Sequence, residues 1–203
     1  GEGGVILPPP EFLQGLRALC DEHNALLICD EIQSGLGRTG TMFAHAHAGI
    51  RADAVTIGKA LSGGVYPVSA FLADDAVMSV FQPGQHGSTY GGNPIACAVA
   101  EAALDVLSDE GLYDRSIELG SWFLHELRKL ASPHVKEVRG AGLWIGVELH
   151  ESAGGARKYC EALMHRGILC KETHTHIIRF APPLVIGRSD LEWALGEISA
   201  VLA

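Results

Sequence analysis

Two short apolar runs, each leading to a residue that carries chemistry, constrain this chain more than any other feature. Leu26, Leu27, Ile28 and Cys29 run into Asp30, and Ala54, Val55, Thr56 and Ile57 lead through Gly58 to Lys59. Runs of this length, bounded by glycine-rich segments, read as buried strands of a parallel sheet. In open parallel α/β sheets, ligands sit beyond the carboxyl ends of the strands. The pattern therefore places an acid, Asp30, and an amine, Lys59, where they can face one bound molecule from different sides.

The rest of the chain is consistent with such a sheet. Phe12, Leu13, Leu16 and Leu19 have helical spacing and predict a helix over residues 11–24, with Asn24 suited to its end. Strands are expected at 25–29, 54–57 and 68–72, a flexible turn at 58–64, and a short helix at 74–80. Asn93 is a good N-cap and Pro94 a good first helical residue, opening a helix that runs to about Leu107. A second helix covers roughly 112–130 and is ended by Pro133. Beyond it the pattern changes to strand, strand, helix, strand, strand, helix: 135–138, 143–149, 156–166, 168–170, 177–180 and 189–202. Ser189 is expected to cap the last helix, with Glu192 completing a capping box.

This order describes an α/β chain: residues 1–107 as the later part of a large cofactor-binding domain, and 108–203 as a connecting helix and a small C-terminal α+β domain. The opening GEGGVILPPP reads as the interior of a longer chain, with an N-terminal portion expected upstream.

Composition narrows the function. With 47% hydrophobic and 19% charged residues the chain has a globular composition, and its net charge of −9 argues against nucleic acid or an anionic membrane as partner. No apolar run is long enough to span a membrane, and no signal-peptide pattern is present. The five cysteines are odd in number and include no C-x-x-C, which points to reduced thiols in a cytoplasm-like compartment.

A cofactor with an aldehyde for Lys59 and a basic ring nitrogen for Asp30 fits the first motif, and pyridoxal phosphate is such a cofactor. An ionised Asp30 in a dry site would keep the ring nitrogen protonated. Lys59, in the sequence Gly-Lys-Ala-Leu-Ser-Gly-Gly, would bind the aldehyde and later act as a general base. Ser88 and Thr89, amid glycines before a helix N-terminus, suit a phosphate, although on these residues alone an ordinary turn and cap is favoured. Arg179 lies inside an apolar strand, where a guanidinium requires a carboxylate, from the protein or from a substrate. The H-x-H pairs His45/His47 and His174/His176 have no cysteine or carboxylate cluster beside them and are taken as structural or exposed. Gly35, Gly37 and Gly40 spell G-x-G-x-x-G, but five residues separate them from the strand. A loop is favoured over a dinucleotide fingerprint and over a nicotinamide-dependent oxidoreductase.

Taken together, LLICDEIQSGLGRTG, TIGKALSGG, HGSTYGGNP, VRGAGLWIGVEL and IIRFAPPLVI resemble the class III (subgroup II) aminotransferases, of pyridoxal-phosphate fold type I. GKALSGGVYPVSA and IIRFAPPLVI are most similar to members that act on ornithine, with those acting on acetylornithine or another ω-amino acid as the alternative. A catalytically inactive remnant or association module is the alternative from a different class.

The resemblance implies specific roles. Lys59 would hold the cofactor, Asp30 would pair with its ring nitrogen, and Gln33 would bond its phenolic oxygen. Thr89, with Ser88, would reach the cofactor phosphate of a neighbouring subunit. Arg179 would grip a substrate carboxylate, with Glu2 as its switchable protein partner. It further implies amino-acid and 2-oxo-acid substrates, a homo-oligomer, and a need for the N-terminal half. KETHTH ahead of Arg179 departs from the family's proline- and glycine-containing version, which leaves that turn's geometry open.

Overall fold

A computed structural model describes residues 1–203. The chain divides into two compact units: one is Pro8–Gly37 with Thr41–Gly111, the other Gly1–Leu7 with Arg38–Gly40 and Leu112–Ala203. Gly1–Leu7 thus packs with the later residues and not with the run that follows it directly.

The first unit holds a three-stranded sheet in the order β1 (Ile28–Asp30), β2 (Ala54–Ile57), β3 (Ala70–Ala73). β1 pairs with β2 in parallel, whereas β3 returns antiparallel. The buried parallel strand expected at 25–29 is shorter and less covered than its apolar sequence suggests. β1 has one hydrogen-bonded neighbour, and Ile28 is 53% exposed. β2, the middle strand, buries Ala54, Val55 and Ile57.

Helix α1 (Pro10–Glu22) ends as its sequence indicates, with Asn24 in the left-handed region at φ 49°. It is fastened by polar contacts rather than by a buried stripe: Gln14 Nε2 donates to Ala48 O at 2.9 Å, and Arg17 Nη1 to Asp53 Oδ2 at 2.6 Å. A short helix, α2 (Asp75–Met78), follows β3. Asn93 caps α3 (Pro94–Asp109) by accepting from Ala96 N at 3.0 Å, with Pro94 in the first turn. The segment 58–64, expected as a flexible turn, contains a 3₁₀ helix at Lys59–Ser62.

The second unit is a four-stranded antiparallel sheet, order β4 (Val135–Ala141), β5 (Trp144–Leu149), β7 (Ile177–Phe180), β6 (Lys171–Thr173), with α4 (Leu112–Arg128), α5 (Arg157–His165) and α6 (Arg188–Leu202). Ile145, Val147, Leu163, Ile178 and Ile198 are fully buried. β6 begins at Lys171, later than the expected 168–170. The turn between β6 and β7 forms with His174 at φ 44° and Thr175 at φ 55°, conformations that glycine adopts with less strain. The capping box predicted at Ser189 is not formed. Gly187 is the N-cap, Ser189 lies inside the first turn, and Glu192 accepts from Arg188 Nε at 3.0 Å.

All five cysteines are free thiols, and Cys160 and Cys170 share a hydrogen bond. No helix is long and apolar enough to cross a membrane.

Two glycines in helices of this unit make opposite demands. A Cβ at Gly120 in α4 would fall 2.1 Å from the carbonyl oxygen of Gly142, so the helix backbone rests on the β4–β5 turn, whereas Gly196 in α6 faces open space. Gly120→Ala is expected to destabilise the protein by about 2 kcal/mol or more in urea denaturation, and Gly196→Ala to stabilise it by roughly 0.5–1 kcal/mol.

Candidate active site

The register of the parallel pair sets Asp30 opposite Thr56. Asp30 closes β1, and Lys59 follows β2 after Gly58, so both stand at the carboxyl end of the same two strands. The 3₁₀ turn presents the lysine. Leu61 N donates to Gly58 O at 3.1 Å, Ser62 Oγ to Lys59 O at 2.9 Å, and Gly64 N to Ser62 Oγ at 3.1 Å. Leu61 and Ser62 are buried while Lys59 is exposed, with its backbone in the left-handed region at φ 44°. A non-glycine residue held there costs of order 1 kcal/mol, which the buried turn residues offset.

Lys59 lines an open cleft of 780 Å³ together with Ser62, Tyr66, Ser69, Tyr90 and Asn93. Sites for small molecules commonly measure roughly 300–1,000 Å³. The wall from Tyr90 to Ala96 is the segment whose turn and N-cap start α3.

Asp30 is not in the lining of this cleft. Its carboxylate is exposed, and Oδ1 accepts from Ile32 N at 3.0 Å. The dry setting expected for it is therefore not supplied by this chain alone, because β1 is an edge strand and its tip is uncovered. Gln33 is half-buried in the turns that follow. Ser88 and Thr89 are exposed, and Ser88 Oγ accepts from Gly91 N at 2.9 Å, so this hydroxyl supports the turn that leads into the cleft wall.

The residue that sequence reasoning missed is Glu31. Its side chain is 3% exposed and accepts from Ser34 Oγ at 2.6 Å, Ala44 N at 3.0 Å and His45 N at 2.9 Å, with His45 Nδ1 at 3.0 Å. A single carboxylate thus closes the segment that begins at Asp30 and carries Gln33. His45 is structural, as its isolated H-x-H pair suggests. The glycines at 35, 37 and 40 form no strand–turn–helix. Arg38, between them, sends Nη1 to the carbonyls of Leu143 (3.0 Å) and Pro182 (2.5 Å), and burial pushes its guanidinium pKa down.

In the second unit, Arg179 sits in β7 between buried Ile178 and Phe180, with its side chain 14% exposed. Its Nη1 donates to Glu2 Oε1 at 2.9 Å. The carboxylate that an intrastrand arginine requires comes from the protein itself. That hydrogen bond and the arginine's charge hold the Glu2 carboxyl below the usual carboxylate range, with a smaller contribution from Lys171. The pair therefore persists at neutral pH and is lost only as acid protonates Glu2 below that lowered value.

The chain belongs to the class-III aminotransferase family, whose model it matches over residues 1–202. It is 57% identical over 203 residues to the ornithine aminotransferase of Bordetella pertussis, covering all of this chain and 49% of that protein. Among solved structures, ornithine aminotransferase from Toxoplasma gondii superposes with a TM-score of 0.96 at 45% identity, covering 100% of this chain and 49% of that one. Acetylornithine aminotransferase from Elizabethkingia anophelis does so at 0.94 and 46%, covering 100% and 51%. The chain spans about half the length of the curated relatives it matches.

Removing the Glu31 carboxylate would leave the half-buried backbone N–H groups of Ala44 and His45 without this acceptor. Glu31→Ala is expected to cost about 3 kcal/mol in urea denaturation, and Glu31→Gln less, because an amide oxygen still accepts.

Proposed function

We propose that this chain supplies the lysine-bearing half of a pyridoxal-phosphate-dependent aminotransferase that moves the δ-amino group of ornithine to 2-oxoglutarate, giving glutamate semialdehyde and glutamate. The observation that carries the reading is a lysine presented into a cleft at the carboxyl end of a parallel strand pair, with an aspartate at the end of the neighbouring strand. Ornithine as amino donor is supported by the similarity to ornithine aminotransferases and by the Glu2–Arg179 pair.

The donor set fits the cofactor: an amine open to the cleft for the aldehyde, an acid for the ring nitrogen, Gln33 for the phenolic oxygen, and the Ser88 and Thr89 hydroxyls for the phosphate of a neighbouring subunit. When bound, pyridoxal phosphate supplies an aldehyde that captures an amine and a protonated ring that accepts the electron pair left when a C–H bond breaks. The Lys59 amine would anchor the group and, once displaced by substrate, carry the proton between the two carbon centres it serves. Asp30, kept ionised, would hold the ring nitrogen protonated.

Arg179 and Glu2 would set which amine reacts. With Glu2 on Arg179, ornithine's α-carboxylate is refused and its δ-amine is presented. With 2-oxoglutarate or glutamate, the substrate's α-carboxylate takes the arginine in place of Glu2, a competition between two carboxylates for one guanidinium.

The exposed Asp30 fits a site completed by further protein, the N-terminal half and a second subunit. Val65, Val80, Phe81, Tyr90 and Ile95 are each more than half exposed, an apolar surface that favours association. The chain alone is accordingly expected to sediment as oligomers; a monodisperse monomer would contradict this.

The function is tested by adding pyridoxal phosphate to the chain joined with its N-terminal half. A visible absorption band is expected, borohydride should bleach it, and peptide mapping should then find the reduced adduct on Lys59. Lys59→Ala should abolish both signals. A band that survives in Lys59→Ala overturns the assignment.

A further inference from the structure

We propose that Thr173 and Arg139 are positioning residues that fix the backbone beneath Glu2, and so set how tightly Glu2 holds Arg179 against a competing substrate carboxylate. The proposal rests on the reading of Glu2 and Arg179 given above and adds to it two residues that touch neither reacting group.

The reason begins with Glu2 itself. Its side chain is 73% exposed and it lies in a segment, Gly1–Leu7, with no helix or strand. An exposed ion pair on a free segment contributes little, because ordering two long side chains offsets most of the attraction. A carboxylate placed this way can occupy Arg179 consistently only if its backbone is already held in place.

Two clamps do this. Thr173, at the end of β6 and 5% exposed, donates its hydroxyl to Glu2 O at 2.5 Å. Arg139, on β4, donates Nη2 to Gly4 O at 2.8 Å and Nε to Gly4 O and Val5 O at 3.0 and 3.2 Å. Arg139 is itself oriented by Glu137 at 2.8 Å and Glu148 at 2.6 Å.

The segment's shape matches the clamps. Gly4 N and Val5 N donate to Gly1 O, closing a tight turn around Glu2, and the Val5 side chain is fully buried. Gly4 has φ 100°, and a Cβ there would come within 2.1 Å of Ile177 Cδ1. A Cβ on Gly146 of β5 would meet Gly4 O at 3.0 Å and Val5 Cβ at 3.2 Å. The sheet is thus shaped to receive this piece of backbone.

Strand register explains why the clamp serves Arg179. In the β6–β7 pair, Lys171 is opposite Arg179 and Thr173 opposite Ile177. Residues two apart on a strand share a face. The hydroxyl that holds the Glu2 carbonyl and the guanidinium that holds its carboxylate are therefore fixed to one another by a single hairpin. With the main chain tied at residues 2, 4 and 5, release of Arg179 requires only rotation of the Glu2 side chain and no loop movement.

The test uses the 203-residue chain, with two readouts: the titration of the Glu2 carboxyl carbon by NMR, and the affinity for glutarate, followed on the Arg179 Nε–H signal. Thr173→Val removes the clamp with little change in volume. It is expected to move Glu2 back toward ordinary carboxylate titration and to raise glutarate affinity about threefold, the scale of one hydrogen bond. Thr173→Ser keeps the hydroxyl and should restore both. Arg139→Lys keeps the charge but loses the two-point grip, and should act in the same direction as Thr173→Val.

Glu2→Ala separates this inference from the reading beneath it. If Glu2→Ala leaves glutarate affinity unchanged, Glu2 does not compete for Arg179, and the gate is wrong. If Glu2→Ala raises it while folded Thr173→Val and Arg139→Lys change neither readout, the gate stands and the positioning role is overturned.

Discussion

A pair of parallel strands has a single carboxyl end, and that directional fact governs the site. Had β1 met β2 antiparallel, Asp30 and Lys59 would lie at opposite ends of the sheet, and no small ligand would reach both. The three paired residues of β1, Ile28 with Ala54, Cys29 with Val55 and Asp30 with Thr56, settle the matter in about 10 Å of backbone. β3 is antiparallel, and the residues that lead into it, Ser69 among them, line the cleft at this same end. The turn after Ile57 then needs only one left-handed residue to direct an amine outward.

Short strands of this kind hold little by themselves, and the buried Glu31 supplies part of what is missing. Its carboxylate gathers two backbone amides, a hydroxyl and an imidazole that come from positions 34, 44 and 45. Turn-rich sequence between two strands would otherwise be loosely ordered. Here it is pinned at one residue next to Asp30, so the order of the loop and the position of the acid are linked. In the other unit the same logic is inverted: cations on strands, Arg139 and Arg179, collect carbonyls and a carboxylate from a segment with no regular structure.

Much of this was readable in the residues. Apolar runs of the right length gave β2, and Asn93 followed by Pro94 gave the start of α3, because an N-cap and a first-turn proline act locally. Lys59 and Asp30 stood out because their neighbours were apolar or small. Arg179 stood out because a guanidinium between isoleucine and phenylalanine demands a carboxylate, and Glu2 answers it. What sequence did not show depends on distant partners. Ser189 had the right side chain for a cap, but the helix starts one residue earlier at Arg188, whose guanidinium takes Glu192. The exposure of Asp30 follows from the sheet's edge, which no local pattern records. The role of Glu31 could have been suspected from a second acid placed directly after Asp30, yet its four donors are named only by the fold.

The segment Gly1–Leu7 has one more consequence, for the order in which this protein can assemble. Arg139 meets Gly4 across 135 residues of sequence, and Thr173 meets Glu2 across 171. Contacts so far apart close large loops and form late, after hairpins and helices that are local have appeared. On a ribosome, Glu2 emerges long before Thr173 and Arg179, so these contacts wait until that later stretch has been made. The ion pair between Glu2 and Arg179 is therefore among the last contacts acquired as the polypeptide matures.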